Sequence, residues 1–494
     1  MMIKQSKWQP IDRLSIALII IFSLIIFALI WAGIACNGSC PFLNPTPEVK
    51  NFSWQGKVIS AEDRAFLLTF DRPMQRDSVA KNLRIEPVLE GKMSWVGKKM
   101  AYTLNYPAPY GQEYQLSLAN AQEHFPYQKQ AGRQIKPFTG NFRSRDRAFV
   151  YIGTTGTEKD RLVYYNWTRE KKLILTPDNL VVMDFKPYYQ GDRILFSAAS
   201  NDIPAPEAIR QLQLYRVTIP EDFTSQQTPS LELVLDNKEY QNNKFDLSRD
   251  GKTIVLQRIN RQNPGDFGLW LIRENNKAIA LNNSPGGDFI IAPDSQTLAI
   301  AQTEGIALLP LQPEAQPLDF LPKFGQVLSF SADGSAAAMI NYNTESKELR
   351  YTQSLFYVDN RGVQKELLNT TGSIRSCQFN PTATDLYCLL TRLIEEEEEY
   401  QEEPYLAVIN LKAGSFKPLV TLPQYQDIHM SIAPDGFGIL LDLPDMSDDS
   451  SQTSLPRRQG NGQIWLLSNL EGQLSKLSSL EKLPMQGWQP EWLP

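Results

Sequence analysis

Apolar residues are unevenly spread along these 494 residues. From Leu14 to Ile34 they form one uncharged run, LSIALIIIFSLIIFALIWAGI, interrupted only by Ser15, Ser23 and Gly33. A helix over these 21 residues would be about 32 Å long at ~1.5 Å per residue, enough to cross a bilayer core of about 30 Å. Beyond Ala35 the pattern changes to short runs alternating at period two and bounded by Pro, Gly, Asn and Asp, which predicts strands. The expected class is a single transmembrane helix followed by an all-β soluble body.

Residues 48–143 predict a small β-sandwich. Strands are expected at Ala65–Phe70, Leu83–Pro87, Met93–Val96, Met100–Tyr106 and Glu113–Leu118, with a hairpin turn at Gly97-Lys98-Lys99 and no helical run. Phe66, Leu68, Phe70, Trp95, Tyr102, Leu104, Tyr114 and Leu116 fall on the inner faces.

From Arg147 onward the chain repeats itself. FDLSRDGKTIVLQ (245–257), FIIAPDSQTLAIA (289–301), LSFSADGSAAAMI (328–340) and MSIAPDGFGILLD (430–442) share one plan, with weaker copies at 185–197 and 379–390. A first strand reaches an Asp-Gly turn, and the apolar strand after it has to be covered on both faces. Further strands follow at 212–217, 231–235, 267–272, 277–281, 354–359, 405–411 and 463–469. Four short strands repeated every 40–60 residues predict a β-propeller over 147–494. Six units begin near 185, 245, 289, 328, 374 and 428. A seventh blade follows if Gly487–Trp492 joins the strands expected at 148–152, 162–166 and 172–175; six blades are the alternative count.

Two resemblances follow from these motifs. LLTFDRPM, DSV, LRIEP, GKMSW, YTLNYP and GQEYQLSL, in that order over residues 48–143, resemble bacterial immunoglobulin-like domains of the surface-layer type, which implies a spacer or adhesion module without catalytic residues. The recurring Phe/Ile-x-x-Asp-Gly unit over 147–494 resembles the WD40-like propellers of TolB and of prolyl oligopeptidases. No G-x-S-x-G nucleophile accompanies it, so the resemblance does not imply peptidase activity. The anchored two-domain design also resembles cyanobacterial envelope proteins.

Charge orients the anchor. Lys4, Lys7 and Arg13 precede the helix and the first basic residue after it is Lys50, so the positive-inside rule keeps residues 1–13 in the cytoplasm and exports the body. Trp31 falls at the exported interface. Residues 35–47, with Pro41, Pro45 and Pro47, read as a stiff tether. The run exceeds the h-region of a cleaved signal peptide, though cleavage or lipidation at Cys36, in Gly33-Ile34-Ala35-Cys36, also leaves the body outside. That location is the periplasm, or the thylakoid lumen in a cyanobacterium. A net charge of −6 argues against nucleic acid as a partner.

Candidate chemistry is sparse. Cys377 and Cys388 fall on successive strands whose turn, centred between 382 and 383, brings them face to face; a disulfide and two buried thiols both fit. Cys36 and Cys40 are a weaker pair. Glu395, Glu396, Glu397, Glu398, Glu399, Glu402 and Glu403 form an acidic stretch expected to be a protruding loop, and are weak metal candidates because they lack the spacing of an organised calcium loop. A second polar insertion spans 445–462. The repeated Asp250, Asp294, Asp333 and Asp435 are expected to serve turn geometry, and His124 and His429 lie in different segments. No cofactor is expected. The expected function is a non-enzymatic binding or scaffold protein, held by residues 14–34 and meeting an envelope or membrane-complex protein or an envelope polymer. An assembly factor for a membrane complex is the alternative, followed by a propeller hydrolase or lyase.

Overall fold

In the computed structural model the alternating runs are strands and the apolar run is a helix. It describes residues 10–35, 46–124, 132–220, 229–273, 277–281, 287–312, 318–344, 346–350, 352–394, 401–422, 427–444, 462–468 and 480–494. Two units separate: Met1–Lys57, Ala65–Thr103 and Glu113–Phe142 form one; Val58–Arg64, Leu104–Gln112 and Arg143–Pro494 form the other.

The helix α1 (Pro10–Ala35) contains the apolar run. Its side chains are described continuously over 15–28, all of them exposed. That stretch measures about 21 Å at ~1.5 Å per residue, and among the described residues no helix is long and apolar enough to cross a membrane.

The next strands are β1 (Val49–Phe52), β2 (Val58–Ile59), β3 (Ala65–Phe70), β4 (Leu83–Glu86), β5 (Gly91–Val96), β6 (Lys99–Leu104), β7 (Glu113–Leu118) and β8 (Phe138–Ser144). They form two four-stranded sheets, ordered β1-β3-β6-β5 and β2-β8-β7-β4. Phe66 of β3 packs on Phe52 and Trp54, and those two meet Phe142 of β8 at centroid distances of 5.9 and 5.1 Å. The expected inner-face residues are buried except Trp95, which is half-buried and stacked on Phe70. The expectation of no helix fails at α2 (Arg76–Asn82). Seven residues that bury Val79 alone leave no helical period to read.

The larger unit is a β-propeller body. The propeller strands begin with β9 (Ala148–Gly153), β10 (Leu162–Asn166) and β11 (Lys171–Ile174). Five four-stranded meanders follow in sequence order. The first comprises β12 (Leu180–Pro187), β13 (Arg193–Ser200), β14 (Gln213–Thr218) and β15 (Leu231–Leu235). Next come β16 (Tyr240–Leu247), β17 (Ile254–Asn260), β18 (Phe267–Ile272) and β19 (Ala278–Ala280). The third holds β20 (Phe289–Ile291), β21 (Thr297–Gln302), β22 (Gly305–Pro310) and β23 (Asp319–Leu321). The fourth holds β24 (Gln326–Phe330), β25 (Ala336–Asn341), β26 (Gln353–Asp359) and β27 (Gln364–Thr370). The fifth holds β28 (Ile374–Phe379), β29 (Asp385–Leu393), β30 (Glu402–Asn410) and β31 (Phe416–Thr421).

The remaining strands are β32 (Met430–Ile432), β33 (Gly438–Pro444), β34 (Gly462–Ser468) and β35 (Leu480–Trp492). β35 works twice. Its first half pairs with β34, Leu480 opposite Leu467, and its second half pairs with β9, Trp492 opposite Phe149. A seven-stranded sheet results, ordered β11-β10-β9-β35-β34-β33-β32.

Second strands hold the body together. Leu195 shares a buried cluster with Leu256, Val255 with Ile300, Ala299 with Met339, Ile340 with Leu390, and Leu389 with Leu441. Leu440 then reaches Phe149, and Val150 reaches Phe196, whose neighbour Leu195 began the series. Adjacent residues of one strand thus pack on opposite neighbouring sheets, and the series closes on itself. The turns before these strands follow the repeat: Gly251 takes φ +71°, and the Asp-Ser copy holds Ser295 at +59°.

Removing residues 485–494 takes away the β9 partner and two buried indoles, Trp488 and Trp492. We expect this truncation to abolish cooperative unfolding of the larger unit in a thermal melt. Trp492→Ala alone should cost about 3–5 kcal/mol in denaturant titration.

Candidate functional site

Side chains on three of the inner strands, β16, β28 and β32, bond to the next inner strand. Asp246 Oδ2 accepts a hydrogen bond from the Ile291 N–H at 2.7 Å. Gln378 Oε1 accepts from the Ile432 N–H at 3.0 Å, and Ser431 Oγ from the Trp492 N–H at 3.0 Å. These are equivalent positions, each acceptor lying two residues before the residue whose N–H closes the following turn. Strands that contact both neighbours in a closed series must lie on its inner side, so these groups surround the axis of the body.

The pattern is not carried by Ile290 of β20 or by Ser329 of β24, whose buried Oγ has no hydrogen-bond partner among the described residues, and it breaks again where β35 meets β12. The position that should donate is Pro187, which has no N–H. Glu491, the residue facing that gap in register, pairs instead with His429, Oε2 to Nε2 at 3.0 Å. Lys186, in the corresponding place on β12, lies 3.9 Å from Asp246. Lys244 pairs with Asp288, which also accepts from Gln326 at 3.1 Å. Behind them, buried Asp442 accepts from the N–H groups of His429 at 2.5 Å and Gln489 at 2.7 Å, tying β32 to β35.

Charge on the axis is coupled. Asp246 raises the pKa of the Lys186 amine against desolvation, helped by Glu491, Asp184 and Asp288. Burial pulls the His429 imidazole down, but the hydrogen bond and charge of Glu491, together with Asp442, outweigh it and the net shift is upward. The set is five carboxylates, Asp184, Asp246, Asp288, Asp442 and Glu491, against Lys186, Lys244 and His429. It can bind a ligand carrying both donors and positive charge, and the His429–Glu491 pair can hold a proton.

Sequence-predicted residues fall mostly elsewhere. Glu395–Glu399, the insertion 445–461, Cys36 and Cys40 lie outside the described residues. Glu402 and Glu403 are not in a protruding loop. They begin β30, where register with β29 sets them opposite Leu393 and Arg392. Glu402 accepts from Ser373 Oγ and Thr391 Oγ1, both at 2.9 Å, and Arg392 pairs with Glu403. Among the described residues no group of three or more His, Cys, Asp or Glu is placed to hold a metal. Cys377 and Cys388 are opposite in the β28–β29 register, their Cα atoms 4.1 Å apart, and their sulfurs are bonded. His124 is exposed.

Of the repeated aspartates, Asp250, Asp294 and Asp333 accept from N–H groups within their own turns. Asp435 does more. One oxygen accepts from the Phe437 N–H; the other takes Arg147 at 2.7 Å and the Tyr110 N–H at 2.8 Å. Arg147 lies 3.8 Å over the Phe437 ring. Sequence spacing gives no regular interval for the axis set, whose members run from 184 to 491; charged residues on or beside successive first strands, Lys186, Lys244, Asp246 and Asp288, are the available signal.

No protein-family profile matches the chain, and no curated protein matches it by sequence. Solved structures that are similar include an oligogalacturonate lyase from Vibrio parahaemolyticus at 13% identity and TM-score 0.43, over 60% of this chain and 86% of that one. TolB from Acinetobacter baumannii is similar at 11% identity and TM-score 0.40, over 84% and 83%. A periplasmic gluconolactonase from Pseudomonas aeruginosa is similar at 11% identity and TM-score 0.43, over 71% and 99%. Likenesses at this level leave the activity to be argued from the chain's own geometry.

His429 has a raised pKa in the folded chain, so its pairing stabilises fully below about pH 6.5 and is lost as pH rises through the folded value. The melting temperature of the wild type should therefore fall towards that of His429→Gln as pH is raised from about 6.5. Glu491→Gln should remove the pH-dependent difference; melts at stepped pH check both.

Proposed function

We propose that this chain is a non-enzymatic binding or scaffold protein whose propeller works on the exported side of a membrane. The observation that supports this reading best is the use made of the axis. Asp246, Gln378, Ser431 and Asp442 accept from backbone N–H groups of adjoining strands, so these polar side chains brace a binding body. In this reading the seven-stranded sheet counts as two blades, divided between Gln486 and Gly487, and the propeller has seven. The smaller unit is an immunoglobulin-like spacer, and residues 14–34 anchor the chain with its N-terminus in the cytoplasm. The partner is another envelope or membrane-complex protein. The Cys377–Cys388 bond suits an exported, oxidising compartment.

Extraction of the full chain in mild detergent, affinity capture and mass spectrometry test the binding role. A stoichiometric partner that survives washing is expected, and a chain that stays monomeric and alone at native abundance would overturn it. Alkaline extraction of membranes tests the anchor. The full chain should stay in the pellet, and a variant lacking residues 14–34 should be released.

A further inference from the structure

One basic side chain is buried among the described residues: Arg258 on β17, 6% exposed. An arginine stays charged at any pH a folded protein meets, and a buried charge without a counter-ion is costly. Arg72 pairs with Asp71 and Glu123, and Arg147 with Asp435, while half-buried Arg64, Arg145, Arg161 and Arg261 donate to backbone carbonyls. Arg258 has no carboxylate within ion-pair distance among the described residues. Its Nε donates to Asn242 Oδ1 at 3.1 Å. Its guanidinium carbon sits 4.5 Å from the Tyr240 ring centroid and 5.0 Å from that of Trp270. The two terminal nitrogens make no hydrogen bond to a described residue.

The space beside it is also unusual. In the β17–β18 ladder the residue opposite Arg258 is Gly268, and a Cβ added there would meet nothing within 4 Å. A strand position left without a side chain thus leaves an opening across the ladder from a buried cation, whose guanidinium lies near the Tyr240 and Trp270 rings, themselves in edge-to-face contact at a centroid distance of 4.9 Å. Burial lowers the Arg258 pKa, and Tyr240 and the charges of Asp236 and Glu239 oppose that shift without cancelling it.

We propose that Arg258 anchors a subsite for an oxyanion, taking the carboxylate or phosphate of a small ligand in the opening over Gly268, beside the Tyr240–Trp270 pair. The planar fork of the guanidinium offers two parallel N–H donors, the geometry that recognises such groups. This site is separate from the axis set and does not depend on the role assigned to it.

Trp270 supplies the readout. The full chain is titrated with glutarate and, separately, with inorganic phosphate, following the tryptophan emission that Trp270→Phe removes. Saturable quenching at millimolar ligand is expected. A response to glutarate identifies a carboxylate ligand and a response to phosphate alone a phosphorylated one. Arg258→Met should abolish binding, and Arg258→Lys should weaken it about tenfold, because the ammonium cannot make the paired contact. Gly268→Val fills the opening while keeping the arginine, and a branched residue suits a strand; it should block binding in a chain that folds normally even if Arg258→Met does not. No saturable response to either ligand in the wild type, or equal responses in the wild type and Gly268→Val, would overturn the proposal.

Discussion

Each second strand of the larger unit has two apolar faces, and that constraint governs the rest. Leu389 and Leu390 are neighbours in sequence yet belong to clusters on opposite sides of their sheet. A sheet built on such a strand is stable only with another sheet against each face, so an open row would leave apolar surface at both ends. Closure is the only arrangement that satisfies every sheet. The axis contacts, the shared strand β35 and the buried indoles of Trp488 and Trp492 all follow from that requirement.

Polar chemistry is arranged around the closure. Asp246, Gln378 and Ser431 accept from N–H groups on the next inner strand; where Pro187 removes the N–H, a carboxylate is released from bracing. Glu491 is that carboxylate, and its pairing with His429 is the one axis contact between two side chains that changes charge near neutral pH. The fold's need for backbone partners and the distribution of titratable groups are therefore one problem.

Much of the architecture was legible because it is periodic. The turn copies and the strands after them are written in alternating apolar residues, and the Cys377–Cys388 register followed from locating one turn. α2 was not legible, since seven residues with Val79 as the sole buried one give no period. Glu402 and Glu403 were assigned to a loop on charge density, but hydroxyls and arginines on neighbouring strands accommodate them inside a sheet. The axis set was the least visible. Lys186 is more than 200 residues from His429 and Glu491 in sequence, and only closure brings it near them. Arg258 carries no sequence signal at all, because its burial and the opening over Gly268 appear only once β16, β17 and β18 are in register.

The double pairing of β35 also sets an order of events. β9 is the first strand of the propeller body, and the strand beside it is made more than 300 residues later. While the chain is being synthesised, β9 has no partner on that edge and the first and last sheets have an uncovered face. The body can begin to collapse sheet by sheet, but its final structure waits for Trp492. Contacts this distant in sequence form slowly, so the interval before closure is when this chain is most exposed to proteolysis and most in need of a chaperone.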